Sequence, residues 1–96
     1  MDDRPLFRGP GPCEWCRKWW PIRHAAHPKH RGMGGDKRGL TNVRINLVSL
    51  CPCCHYDHHQ GREPRYRQLL GRVAAREGML QSEVEALLRR LRRAER

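Results

Sequence analysis

The clearest alternation of apolar and polar positions lies in the last third of the chain. Apolar residues recur at helical spacing from Tyr66 to Val73, Pro64 suits a first helical turn, and Gly78 suits a helix end. A capping box at residues 82–85 opens a second stripe, in which the apolar positions are Val84, Leu87, Leu88 and Leu91. The sequence therefore predicts two helices near residues 64–77 and 82–95. Their stripes would be buried against each other, the rest of the chain or a second chain.

The middle of the chain shows the alternation that is typical of short strands. Within residues 41–50, Val43, Ile45 and Leu47 alternate with Arg44 and Asn46, and residues 19–27 are a second candidate that ends in a turn at Pro28. Residues 1–9 hold little apolar material, and we expect them to form a flexible arm. Strands followed by helices predict a small α+β protein.

Four of the five cysteines form two C-x-x-C pairs. Each pair supplies two thiolates, which together complete the tetrahedral set that zinc prefers, and a short chain with a thin core gains stability from such a metal. We therefore predict a structural zinc site; its ligands are Cys13, Cys16, Cys51 and Cys54. Cys53 is left unassigned. His55 and His59 lie four residues apart, so a helix starting here would carry both imidazoles on one side, as a second candidate metal site.

The amino-acid composition indicates which class of molecule the protein binds. The net charge is +10, the isoelectric point is about 10.5 and the mean hydropathy is −0.90. Such a charge attracts polyanions, either nucleic acid or an acidic membrane surface, unless it only reflects an arginine-rich proteome. No signal segment or membrane-spanning run is recognisable, and an odd number of cysteines favours metal over disulfides. We expect a cytoplasmic protein of a bacterial or phage-infected cell, with no membrane partner.

The residues from Cys13 to His59 resemble those of a known family. The landmarks are the first C-x-x-C pair, His27 seven residues before Gly34, and the segments Arg31-Gly32-Met33-Gly34-Gly35, Asn46-Leu47-Val48-Ser49-Leu50-Cys51 and Cys54-His55 with His59. In this order and spacing they resemble the HNH endonucleases of the ββα-metal type with a four-cysteine zinc, in their small phage-type form. The resemblance implies a zinc-stapled ββα-metal domain over residues 10–61, with a C-terminal helical hairpin appended at residues 62–96.

The resemblance also implies roles for individual residues. His27 would be the general base that deprotonates a water molecule, and Asn46 would hold in place the loop that carries it. His55 and His59 would hold a divalent catalytic cation, which is Mn²⁺, Ni²⁺, Zn²⁺ or Mg²⁺, and imidazoles suit magnesium least. DNA is the implied substrate, cleaved or nicked by hydrolysis. We expect its backbone to be contacted by Arg31, Lys37, Arg38 and Arg44.

One position departs from the family's pattern and keeps two alternatives open. The residue before the general base is usually Asp or His and binds the metal, but here it is Ala26. His24 and His30 lie nearby without occupying that position. The first alternative is a domain that binds nucleic acid without cutting it. The second is an interaction module whose exposed leucine stripe docks to a larger nuclease, to a packaging protein or to a second copy.

His58 is expected to be an exposed surface histidine.

Overall fold

A computed structural model describes residues 2–29 and 41–95. Within these ranges the protein is a small α+β fold, the predicted class, with two two-stranded antiparallel sheets and three α-helices. The strands are β1 (Gly11–Pro12), β2 (Trp19–Trp20), β3 (His24–Ala26) and β4 (Val48–Leu50), and the helices are α1 (Pro52–His59), α2 (Tyr66–Glu77) and α3 (Gln81–Glu95). Two 3-10 turns span Arg4–Phe7 and Arg44–Asn46. No helix in the described part of the chain is long and apolar enough to cross a membrane.

The strands are shorter than their apolar patterns predict. Residues 19–27 divide into β2 and β3 around Pro21, which has no N–H to donate to a continuous ladder. In residues 41–50 only the last three pair as a strand, because the chain first forms the 3-10 turn closed by the Asn46 N–H and the Val43 carbonyl at 2.8 Å. Strand β3 pairs with β4 so that His24 lies opposite Leu50 and Ala26 opposite Val48. This register places His24 beside the start of α1.

The two predicted C-terminal helices are confirmed. Helix α2 ends at Gly78, whose φ of 66° is the left-handed conformation that glycine adopts readily, and α3 begins after a Glu83 side chain accepts from the Leu80 N–H at 2.9 Å. The apolar stripes face each other and are at most 1% exposed at Leu69, Leu70, Val73, Val84 and Leu88. Burial of the α3 stripe inside the chain corrects the expectation that it is exposed for a partner.

The hairpin shares one hydrophobic core with the cysteine-bearing segments. Its buried residues belong to the same cluster as Cys13, Val48, Leu50 and Cys51. Arg76 of α2 adds a polar connection, since its guanidinium donates to the Glu14 carboxylate at 2.9 Å, to the Leu47 carbonyl at 3.0 Å and to the Arg44 carbonyl at 2.7 Å. The hairpin is therefore integrated with residues 10–61 more closely than an appendage would be.

The N-terminal segment makes more contacts than a flexible arm would. Phe7 is 5% exposed and lies under the Arg76 guanidinium, 4.8 Å from ring centroid to Cζ. The Asp3 N–H donates to the Asn42 carbonyl at 2.8 Å, and the Ser49 hydroxyl donates to the Phe7 carbonyl at 2.9 Å. One buried aromatic ring, together with these bonds, holds residues 2–9 against the second half of the chain.

Candidate metal centre

The four predicted cysteines come together in one cluster. Their Sγ atoms all lie within 4.8 Å of one another, and among the described residues they are the one group of three or more metal-ligating side chains so placed. Four sulfurs around one zinc at about 2.3 Å lie about 3.8 Å apart. The Cys16 and Cys51 sulfurs are 4.0 Å apart, and none of the cysteines is in a disulfide. The cluster therefore has the composition and size to hold a metal ion such as zinc.

Local structure turns each C-x-x-C pair toward the cluster. The first pair lies in the loop between β1 and β2, which the Cys13 N–H closes by donating to the Lys18 carbonyl at 2.9 Å. In the second pair, Cys51 is the N-cap of α1 and its Sγ accepts from the Cys54 N–H at 3.4 Å. The Trp15 N–H donates to the Cys13 Sγ at the same distance of 3.4 Å. Backbone donors aimed at sulfur stabilise thiolates, the form that binds a metal.

The thiols differ in how readily they ionise. Burial raises the pKa of the Cys54 thiol well above its usual range, and the Cys51 and Cys13 side chains add to the increase. Burial also acts on Cys16, but the Lys18 N–H and the side chains of Cys13, Trp20 and Cys54 outweigh it and lower the pKa of Cys16 to about 7. The buried indole N–H of Trp20 has no conventional hydrogen-bond partner among the described residues. Sulfurs packed this closely cannot all ionise cheaply without a cation, and the donor set suits zinc.

A second cluster contains three imidazoles, two of them on α1. His24 of β3 and His55 of α1 face each other through their Nδ1 atoms at 2.8 Å. His55 and His59 face each other through their Nε2 atoms at 3.0 Å. The two residues predicted as metal ligands are therefore adjacent, as their spacing on a helix requires, and His24 is a third imidazole that the register of β3 and β4 brings to them.

His27, the predicted general base, follows β3 directly and contacts Asn42, a residue to which no role was assigned from the sequence. Its Nε2 lies 3.0 Å from the Asn42 Oδ1. Asn46 is 9% exposed, and its Nδ2 donates to the Thr41 carbonyl at 2.8 Å. Asn46 thus holds the segment that carries Asn42, and so acts on His27 through its neighbour.

His58 is buried, which corrects the prediction that it is a surface residue. It is 5% exposed, and its ring lies between two carbonyl oxygens, at 2.8 Å from Pro64 and 3.2 Å from His27. Helix α1 presents His55 and His59 on one side and turns His58 toward the body of the protein. The side chain therefore fixes the backbone at His27, a role that spacing alone does not reveal.

Of the four predicted DNA-contacting residues, one lies within the described residues. The Arg44 guanidinium donates to the Glu77 carboxylate at 2.7 Å, while its backbone N–H donates to the Asp3 carboxylate at 2.9 Å. Its charge is thus already compensated by a carboxylate. Arg31, Lys37 and Arg38 lie outside the described residues, as does His30.

Sequence reasoning missed Asn42 and His58 and left His24 without a role. A signal existed for His24, because residues two apart on a strand share a face and His24 precedes Ala26 by two. For Asn42 and His58 the decisive contacts join segments far apart along the chain, which no local pattern indicates.

Comparison of the chain with protein families, with curated proteins and with solved structures found no match.

Proposed function

We propose that this protein is a metal-dependent endonuclease of the HNH type that hydrolyses or nicks DNA. One observation carries the proposal: the short β3–β4 sheet and α1 bring His24, His55 and His59 within 3.0 Å of a neighbouring imidazole, and the same helix contributes Cys54 to a four-cysteine cluster. A site of this composition can hold a transition-metal cation, while the sulfur cluster stabilises the fold around it.

The geometry supports His27 as the base. An amide oxygen can only accept a hydrogen bond, so the Asn42 Oδ1 requires the proton of a neutral His27 to be on Nε2. In this tautomer the lone pair is on Nδ1, which is the atom that would take a proton from water in the proposed reaction. Asn42 therefore selects the tautomer, Asn46 holds the Asn42 segment, and His58 holds the His27 carbonyl. These side chains position the base and do not themselves touch the substrate.

A divalent cation held by the imidazoles would polarise the phosphate and stabilise the departing oxygen. DNA attraction is supported by the net charge of +10. Because Arg44 is paired with Glu77, the exposed arginines of α3 are better candidates for phosphate contact, and Arg89, Arg90 and Arg93 make no ion pair with any described residue. Binding through such contacts should fall steeply as the salt concentration rises.

A plasmid-nicking assay tests the proposal. Zinc-loaded protein is incubated with supercoiled plasmid in Mn²⁺, Ni²⁺, Zn²⁺ or Mg²⁺, and His27→Ala is assayed alongside. We expect cleavage with at least one of the first three metals and a loss of about 10²-fold or more in His27→Ala, whose DNA affinity in a gel-shift assay should persist. Wild-type protein of full zinc content that cuts DNA with none of these metals would contradict the proposal.

The second candidate function is a domain that binds nucleic acid without cutting it. Its support is Ala26, which is 1% exposed and packs in the core, so that this position offers no ligand and has no room for a charged one. Salt-sensitive binding of duplex DNA, with no cleavage under any metal, would favour this candidate. The interaction-module alternative has less support, because Val84 and Leu88 are already covered by the chain itself.

A further inference from the structure

We infer that His24 supplies the metal ligand that Ala26 cannot, so that His24, His55 and His59 form a three-imidazole site separate from the cysteine cluster. The inference rests on the proposed function, in that it concerns the same site. It assigns the ligand set of this particular chain, and it can be tested without measuring cleavage.

Strand geometry explains why position 24 replaces position 26. Residues two apart on a strand lie on the same face. At Ala26 that face is covered by the hydrophobic core, and the residue is 1% exposed. At His24 the same face meets α1, because His24 pairs with Leu50, the last residue of β4, and α1 begins two residues later at Pro52. His24 is half-buried there, at a boundary where an imidazole can reach both helix and solvent.

The distance between the His24 and His55 rings is close to that of shared ligands. Two nitrogens bound to one ion at about 2.0–2.1 Å in tetrahedral geometry lie about 3.4 Å apart. The contact of 2.8 Å between the Nδ1 atoms of His24 and His55 needs to open by only a few tenths of an ångström. The 3.0 Å contact of His59 is made to the other nitrogen of His55, Nε2, so the three rings do not surround one point until His59 moves. Since His55 uses Nδ1 toward His24 and Nε2 toward His59, its pair with His24 forms the centre of the site. His59, at the exposed end of α1, joins by a change of rotamer.

The hydrogen bonding also keeps the rings in the form that binds metal. In a contact between two ring nitrogens, one nitrogen donates and the other accepts with an unprotonated lone pair. The two contacts of His55 therefore hold two lone pairs inside the cluster. Metal ions bind neutral imidazole through such lone pairs, so an entering ion replaces shared protons without displacing the side chains far.

The test measures nickel binding to zinc-loaded protein by isothermal titration calorimetry, with zinc content checked before and after. Wild-type protein should bind one Ni²⁺ per chain beyond its zinc. His24→Ala and His55→Ala should each lower the nickel affinity at least tenfold with the zinc retained. His24→Asp places an oxygen ligand where the imidazole was, and should bind nickel more tightly than His24→Ala. The matched control is His27→Ala, which removes a neighbouring imidazole that is not a ligand and should bind nickel as the wild type does.

The outcomes separate this inference from the proposed function. Nickel affinity that is equal in wild-type protein and His24→Ala, or the absence of a second site in wild-type protein, overturns the inference. If His24→Ala keeps full nickel affinity while the wild type cuts DNA, the inference fails and the endonuclease proposal stands. If His24 is required for nickel but no metal supports cleavage, the ligand set stands and the endonuclease proposal fails.

Discussion

The cysteine cluster and the histidine cluster meet at the same short helix, α1, but are built in different ways. In the cysteine cluster, two of the cysteines are 1% exposed, and four sulfurs from one loop and the start of α1 converge within 4.8 Å. In the histidine cluster, the rings are partly exposed, and His55 uses both of its nitrogens to reach two neighbours. The four sulfurs can surround an ion in one arrangement, whereas the imidazoles can present either ring nitrogen and so can bind an ion in several.

If the imidazoles hold the proposed catalytic ion, this difference is that between a closed structural site and an open catalytic site. A structural zinc takes four protein ligands and leaves no position for water, whereas a catalytic ion keeps a position open for substrate. Removal of the sulfur site should therefore be felt through the whole fold. Changes on the histidine side should alter ion binding and the placement of His27, with smaller losses of stability.

Loss of one buried sulfur should have the largest effect. Cys51→Ser removes a ligand that is also the N-cap of α1. Because structural zinc sites of this kind contribute about 10 kcal/mol or more and a small domain has a net stability of about 5–15 kcal/mol, the variant should lose its zinc and unfold. Metal analysis and circular dichroism check this result. The exposed Cys53 provides the control, since Cys53→Ser should retain zinc and the wild-type melting temperature.

Removal of the brace between the hairpin and the sulfur cluster should have the next largest effect. Arg76→Ala leaves the Glu14 carboxylate and two backbone carbonyls without the Arg76 donor, and Glu77 keeps only its bond from Arg44. We expect the free energy of unfolding to fall by about 3 kcal/mol, as for a broken, mostly buried ion pair. The control is Arg62→Ala, which breaks an exposed pair with Asp57 and should cost less than about 1 kcal/mol. Equal losses in chemical denaturation would show that Arg76 is not a brace.

A smaller effect is expected on the histidine side, from His58→Phe. The aromatic ring is kept, but the imidazole contacts to the carbonyls of Pro64 and His27 are lost, including the hydrogen bond that the ring N–H donates. Stability should fall by about 1–2 kcal/mol, with zinc retained. His58→Gln keeps a donor and should lose less. If the endonuclease proposal holds, the cleavage rate should fall more in His58→Phe than in His58→Gln, and unchanged stability in both would exclude a holding role.

The smallest effect that we expect is on the pH dependence of stability, through the Glu77 carboxylate of the helical hairpin. Burial tends to raise the pKa of Glu77, but the guanidinium groups of Arg76 and Arg44 outweigh it and lower the pKa below its ordinary value of 4.5. A lowered pKa in the folded state stabilises the protein above about pH 4.5, and the contribution is lost as the pH falls further. Melting temperatures of wild type and Glu77→Gln should therefore converge as the pH falls below 4.5. A constant difference between pH 7 and pH 3 would contradict this linkage.

Patterns in the sequence predicted the local elements well because their causes are local. Gly78 ends α2 since glycine tolerates the left-handed conformation there, and the stripe of Val84 and Leu88 recurs at helical spacing. The strand predictions were too long. Alternation of apolar residues extended through Pro21 and the 3-10 turn of Arg44–Asn46, where the backbone does not form a ladder.

The sequence by itself determined the four-cysteine cluster, the two C-terminal helices and the placement of His55 beside His59. Each follows from ligand spacing or helical periodicity, which act over a few residues. The tertiary structure alone decided that His24 meets His55 across 31 residues, that Asn42 rather than Asn46 contacts His27, and that His58 is buried. These contacts depend on strand register and on the packing of distant segments against a shared core, and no local pattern encodes them.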